Sequence, residues 1–128
     1  MDFDIEIVDL SLEMYLGVHE WEQRKKQRVI IGAKLNVSQG ATATDSFFNY
    51  DEIVQKIREF NDTKIATQEE LVLSIALIAL HLGANRAEIS SRKPDVFSDA
   101  QSTGVALKLD RGEIGTATTY LELLRALK

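Results

Sequence analysis

A chain of 128 residues, 45% hydrophobic and 27% charged, can build one domain with a buried core and has the composition of a soluble globular protein. Its formal net charge of −5 argues against a general nucleic-acid binder, because no basic excess exists to neutralise phosphates and the run Arg24-Lys25-Lys26 with Arg28 is short and isolated. With no cysteine there is neither a disulfide framework nor a thiolate site.

The start, Met1-Asp2-Phe3-Asp4, carries no basic region and no apolar region of the secretory kind. The longest apolar run, Leu71 to Leu82, contains Ser74 and His81 and is too short to span a bilayer. The expectation is a cytoplasmic protein with no membrane or nucleic-acid partner.

Phe3, Ile5 and Ile7, then Leu10, Leu12, Met14 and Leu16, alternate with mostly polar neighbours, the period of a half-buried strand. The alternation slips around Asp9, which predicts a bulge between Ile7 and Leu10. After Gly17 comes a polar loop holding His19, Glu20, Trp21 and Glu22, and loops held by a rigid scaffold are where binding groups collect. Trp21 is expected to pack and hold this loop. Val29, Ile31, Ala33, Leu35 and Val37 then alternate as a second long strand, antiparallel to the first.

From Tyr50 the period becomes helical, with Ile53, Val54, Ile57 and Phe60 on one face, and Asn61-Asp62-Thr63 ends the helix. A second helix is predicted from Thr67 as N-cap, with Glu69 and Glu70 in the first turn, where the helix dipole favours carboxylates. Leu71, Val72, Ile75, Ile78, Ala79 and Leu82 form its predicted buried stripe, and Gly83 its stop. Strands follow around Arg86–Arg92 and Val105–Asp110, the first ending by Pro94, which cannot donate to a ladder. Tyr120, Leu121, Leu123, Leu124 and Leu127 have helical spacing, with Thr118 or Thr119 as cap, and a helix this short must dock to persist. The predicted class is α+β: an antiparallel four-stranded sheet with two helices on one face, ββααββ, plus a short C-terminal helix. The expected division is residues 1–112 as the domain and 113–128 as a helical extension.

Two histidines, far apart and without cysteine, do not supply the three protein ligands of a catalytic zinc. No GxGxxG or GxxxxGK[ST] loop is present, and Ser74 has no GxSxG context, so nucleotide-cofactor and serine-hydrolase readings lack support. Neither metal nor cofactor is expected. Glu22, Tyr50, Glu69 and Lys93 each have a structural reading: a solvated carboxylate, a boundary aromatic, a first-turn carboxylate, an exposed lysine.

Together these residues carry more. Leu16-Gly17-Val18-His19-Glu20-Trp21-Glu22 with Gln27, Ala43-Thr44-Asp45 leading to Asn49-Tyr50-Asp51, Glu69-Glu70-Leu71 with Ile75-Ala76, and Lys93-Pro94 with Ala100 and Gly104-Val105 stand in one order and spacing. From about Ile5 to Arg111 the chain resembles the dihydroneopterin aldolase family, tunnelling-fold enzymes that bind pterins. That resemblance implies a lyase in folate or related pterin biosynthesis, which cleaves 7,8-dihydroneopterin by a retro-aldol step to 6-hydroxymethyl-7,8-dihydropterin and glycolaldehyde. The ring accepts the electrons, so no lysine Schiff base is required.

By the same resemblance Glu69 anchors the pterin's amino and ring N–H groups, Lys93 exchanges protons with the substrate, Glu22 orients that lysine, and Tyr50 serves from the next subunit. It further implies rings of four subunits, stacked as a homo-tetramer or homo-octamer with sites at subunit contacts. The link from Asp45 to Tyr50, beside Phe47 and Phe48, is shorter than is usual in the family, and Thr67-Gln68 stands where the family has an apolar pair. The C-terminal helix is an addition. These departures leave open a phosphorylated or differently configured substrate, an epimerase of the side chain, and a pterin- or purine-binding paralogue without turnover.

Overall fold

A computed structural model of the chain describes residues 1–38 and 48–127. Ala43-Thr44-Asp45, Phe47 and most of the short link before Tyr50 lie outside the described residues. The elements run β1 (Asp2–Leu16), α1 (Glu20–Arg24), β2 (Gln27–Ser38), α2 (Tyr50–Arg58), β3 (Lys64–Ile65), α3 (Gln68–His81), β4 (Arg86–Lys93), β5 (Thr103–Asp110), a 3-10 turn (Arg111–Glu113) and α4 (Ile114–Ala126). The α+β class and the strand–helix–strand order of the sequence reading are both found.

The sheet has five strands rather than four, ordered β3-β1-β2-β4-β5. The extra strand is the short β3, which pairs parallel to β1 through Tyr15 and Leu16. It is fastened by Tyr15 N–H to Thr63 O at 2.9 Å and Gly17 N–H to Ile65 O at 3.1 Å. Two residues are too few to show a period, so alternation along the sequence could not reveal it. All other pairings are antiparallel. The bulge expected near Asp9 is present: the β1–β2 register shifts between Ile7 and Leu10, and Asp9 has φ 55°.

One face of the sheet is dry. Leu12, Met14 and Leu16 of β1 and Val29, Ile31, Leu35 and Val37 of β2 pack there with Ile53 and Ile57 of α2 and with most of α3. Asn49 caps α2 by accepting the Asp51 N–H at 3.0 Å, and Thr67 caps α3 by accepting the Glu70 N–H at 3.1 Å. At the other end of α3 Gly83, φ 119°, takes the left-handed conformation that suits glycine. Gly83 N–H reaches Leu80 O and Ala84 N–H reaches Ala79 O, both at 3.1 Å, the Schellman arrangement.

Two expectations change in the second half. Leu73, Ser74, Leu77 and Leu80 are buried beside the predicted stripe of α3, while Ile78 and Leu82 are only partly buried. The cause is α4, which sets Ala117 and Leu121 into the core and covers a second side of α3. The helix also begins at Ile114, so Thr118 and Thr119 are interior residues whose hydroxyls donate to Ile114 O and Gly115 O. Its start is set by the 3-10 turn, where Glu113 accepts the Asp110 N–H at 3.0 Å.

Arg111 secures this corner by donating to the Leu80 carbonyl at 2.6 Å, on the last turn of α3, and to the Ala84 carbonyl at 2.7 Å, just past its end. Arg111→Met leaves both carbonyls without that donor and is expected to lower stability by about 1–2 kcal/mol, read as a lower urea midpoint at unchanged slope.

Candidate functional site

The loop after β1 is built around one carboxylate. Leu16 ends the strand, Gly17 turns with φ 151°, and the single turn α1 places Glu22 inward with 5% exposure. Lys93, the last residue of β4, is 8% exposed and brings Nζ to 2.7 Å from Glu22 Oε2. Pro94 ends the strand at this residue, so Lys93 sits where the ladder stops and its side chain reaches α1. Gln27, first in β2, donates from Nε2 to Leu16 O at 2.8 Å and to Glu22 Oε2 at 3.3 Å. The His19 N–H approaches Glu22 Oε1 at 3.4 Å.

Taking two charges out of water costs several kcal/mol per ion and is offset only when further hydrogen bonds complete the pair. Glu22 has those donors. Burial pushes its carboxyl up, but the hydrogen bonds from Lys93 and Gln27, the charge of Lys93 and the His19 N–H outweigh it, and its pKa is held below the ordinary value of 4.5. Gly17 leaves the room: a Cβ there would stand 2.1 Å from the Glu22 carboxyl carbon.

On the other side of Gly17 opens a cleft of about 470 Å³, lined by Tyr15, Gly17, Val18, Gln23, Lys64, Ile65, Ala66, Thr67, Glu70, Leu124 and Leu127. Lys64 Nζ lies 5.3 Å over the Tyr15 ring at its edge. Glu70 brings a carboxylate that is 4% exposed, with Arg125 Nε of α4 at 3.7 Å from Oε2. Gln68 accepts from the Ser91 hydroxyl at 2.9 Å, which ties the start of α3 to β4 two positions before Lys93. The ion pair and the cleft therefore share a wall at Gly17, and a carboxylate enters the cleft from α3.

Of the four residues singled out by sequence, the structure brings Glu22 and Lys93 into contact. Tyr50 is the first residue of α2, 56% exposed, and is not among the residues lining the cleft. Glu69 is exposed and does not line it either, whereas its neighbour Glu70 does. Adjacent helix residues differ by about 100° in direction, so one position decides which carboxylate enters the cleft. The sequence offered one clue, the Glu70 and Ser74 pair at i and i+4 on a helix otherwise apolar nearly all round. In the sequence Gln68 stands out only as a departure from the family pattern, and Leu124 and Leu127 only as helix positions, not as site residues. Trp21 is exposed and lies parallel to His19, ring centroids 6.5 Å apart, so it packs within its own loop rather than in the core. Among the described residues no three His, Cys, Asp or Glu side chains gather where they could hold a metal ion, and no helix is long and apolar enough to cross a membrane.

The family model for FolB, dihydroneopterin aldolase, matches residues 5–108. Among solved structures, a Vibrio cholerae chain described as a dihydroneopterin aldolase superposes with a TM-score of 0.76 at 21% identity, covering 85% of this chain and 98% of that one. The Escherichia coli dihydroneopterin aldolase in complex with neopterin gives 0.74 at 19% identity, over 84% and 98%. The dihydroneopterin aldolase of Burkholderia thailandensis bound to guanine gives 0.66 at 22%, over 85% and 91%. No curated protein matches the chain.

Gly17→Ala drives a methyl group into the Glu22 carboxylate, and the expected result is a separated ion pair and a loss of about 3 kcal/mol, read by chemical denaturation. The depressed pKa of Glu22 fixes the sign of a pH effect. Its stabilisation is complete above the ordinary value of 4.5, begins to fall as the pH drops below that value, and is gone below the lower folded value. Stability measured against Glu22→Gln from pH 7 to 3 should show a constant difference that shrinks only in this acid range.

Proposed function

Because the chain belongs to the dihydroneopterin aldolase family, matched over residues 5–108, we propose that it is a carbon–carbon lyase acting on 7,8-dihydroneopterin in folate or related pterin biosynthesis. The observation that carries this reading is the buried Lys93–Glu22 pair set behind Gly17, against a cleft that a second carboxylate enters. In the retro-aldol step the side-chain 2′-hydroxyl gives up its proton and the C1′–C2′ bond breaks. Its electrons pass into the C6=N5 imine of the ring, and glycolaldehyde leaves. A proton then returns to C1′ to complete 6-hydroxymethyl-7,8-dihydropterin. The ring is its own electron sink, so the chemistry calls for proton transfer and orientation.

Lys93 is the group that exchanges protons, through water, with the side-chain hydroxyl and ring N5. Glu22 holds it in place, and Tyr50 of the adjacent subunit of a homo-tetramer or homo-octamer completes the proton transfer. The resemblance puts the ring anchor at Glu69, whose side chain is exposed in the single chain, as suits a group whose site is completed at a subunit contact. A carboxylate accepts two parallel hydrogen bonds from an amino group and an adjacent ring N–H, and such charge-assisted pairs are the strong kind. Neopterin and guanine, bound by the two structural neighbours, share that edge.

Incubation of the purified protein with 7,8-dihydroneopterin and its phosphates is expected to release glycolaldehyde. A new diastereomer alone would identify an epimerase, and binding without change a non-catalytic pterin binder. Lys93→Met should lower turnover by about a hundredfold or more while neopterin binding stays within a few-fold, the signature of a group acting in proton transfer. Glu69→Gln should weaken neopterin binding by about tenfold or more.

A further inference from the structure

Between the cap Thr67 and Glu69 stands Gln68, a half-buried residue that opens α3. Its Oε1 accepts the Ser91 hydroxyl at 2.9 Å. Ser91 is 0% exposed, and a buried hydroxyl requires a partner. Gln68 provides it from across the α3–β4 seam. The buried residues of β4 alternate, so Ser91 and Lys93 both point to the dry face, two positions and about 7 Å apart along the strand. Gln68 is thereby fastened to the sheet one row of side chains from Lys93, and in the chain it adjoins Glu69.

A carboxamide offers one acceptor oxygen and two N–H donors. Ser91 occupies the oxygen and so fixes which end of the group faces away from the sheet. Among the described residues no other hydrogen bond reaches Gln68 Nε2, and its two donors remain for a ligand. An apolar residue, which the resemblance leads one to expect at this position, would bring no donor at all.

The order of groups along one edge of a pterin says what those donors meet. The edge runs from the 2-amino group through N3–H to the 4-carbonyl, then to N5 and the side chain on C6. Glu69 takes the amino group and N3–H, and Lys93 acts at N5 and the side chain. The 4-carbonyl, an acceptor, lies between them, as the Gln68–Ser91 bridge lies between Glu69 and Lys93. We propose that Gln68 is a specificity-determining residue that donates from Nε2 to the ring 4-carbonyl, with Ser91 as the positioning residue that orients its carboxamide. This inference rests on the reading of Glu69 as ring anchor and Lys93 as the proton-exchanging group. It makes the protein selective for 4-oxo rings over 4-amino rings, because a 4-amino group would set donor against donor.

The test compares the affinities of 6-hydroxymethylpterin and 2,4-diamino-6-hydroxymethylpteridine, which differ at position 4, for the full chain and its variants. Gln68→Glu keeps an acceptor for Ser91 and replaces the donors by an oxygen. It should weaken the pterin about tenfold and tighten the diamino ligand, whose 4-amino group then finds an acceptor. Gln68→Leu combined with Ser91→Ala removes both partners and leaves no buried hydroxyl unpaired. It should weaken the pterin about fivefold and leave the diamino ligand no weaker. Ser91→Ala alone should cost the pterin about two- to threefold and the diamino ligand less than about twofold. Circular dichroism and melting temperature check that each variant folds. Equal weakening of both ligands in Gln68→Glu and the double variant, or no weakening of the pterin, overturns the role of Gln68. The functional reading then still stands, provided Glu69→Gln loses the pterin. Ser91→Ala indistinguishable from the unaltered chain overturns the positioning role of Ser91. No pterin binding by the unaltered chain, or none lost in Glu69→Gln, overturns the anchor reading and this inference with it.

Discussion

A buried ion pair between the first loop and the end of β4 organises the site. Glu22 and Lys93 are 71 residues apart in sequence and 2.7 Å apart in space. Two charges so placed are costly unless every approach is satisfied, and the surroundings meet that demand with Gln27, the His19 N–H and the room left by Gly17. The turn α1 exists to deliver Glu22: its five residues are too few for independent helical stability and depend on this contact. The β1–β2 connection is thereby locked to β4, and Gln27, bonded to both Leu16 and Glu22, closes the base of the loop.

The sheet supplies the precision that the pair requires. β2 lies between β1 and β4 with continuous register to β4, so the start of β2 and the end of β4 meet at one edge of the dry face. Glu22 and Lys93 are distant in sequence, but the turn α1 leads into β2 and Lys93 ends β4, the strand paired with β2. The short β3 adds the opposite rim, joining Lys64 and Ile65 to Tyr15 and Leu16 and leading directly into the cap of α3. The first turn of α3 is thus held from both sides, by β3 and by the Gln68–Ser91 hydrogen bond.

The two buried carboxylates have different surroundings. Glu22 is surrounded by donors of the protein itself and its charge is consumed internally. Glu70 is buried at the edge of the cleft and lies 3.7 Å from Arg125 Nε.

The sequence by itself determined the class of fold, the long strands, the cap at Thr67, the bulge at Asp9, the stop at Gly83 and the place of Lys93 before Pro94. These are local matters: periodicity, capping chemistry, left-handed backbone and the missing proline donor act within a few residues. Family resemblance added the grouping of Glu22, Tyr50, Glu69 and Lys93, and of these the fold joins Glu22 to Lys93. Tertiary structure decided the rest. β3 has no periodicity to read and exists only because the chain returning from α2 runs beside β1. Which of Glu69 and Glu70 lines the cleft could not be read from α3 alone, since a helix buried on several sides offers no single apolar stripe against which to set the angle of a carboxylate. α4 supplied that missing reference, covering α3 from a second side and standing at the cleft, a placement that no spacing within its own residues specifies.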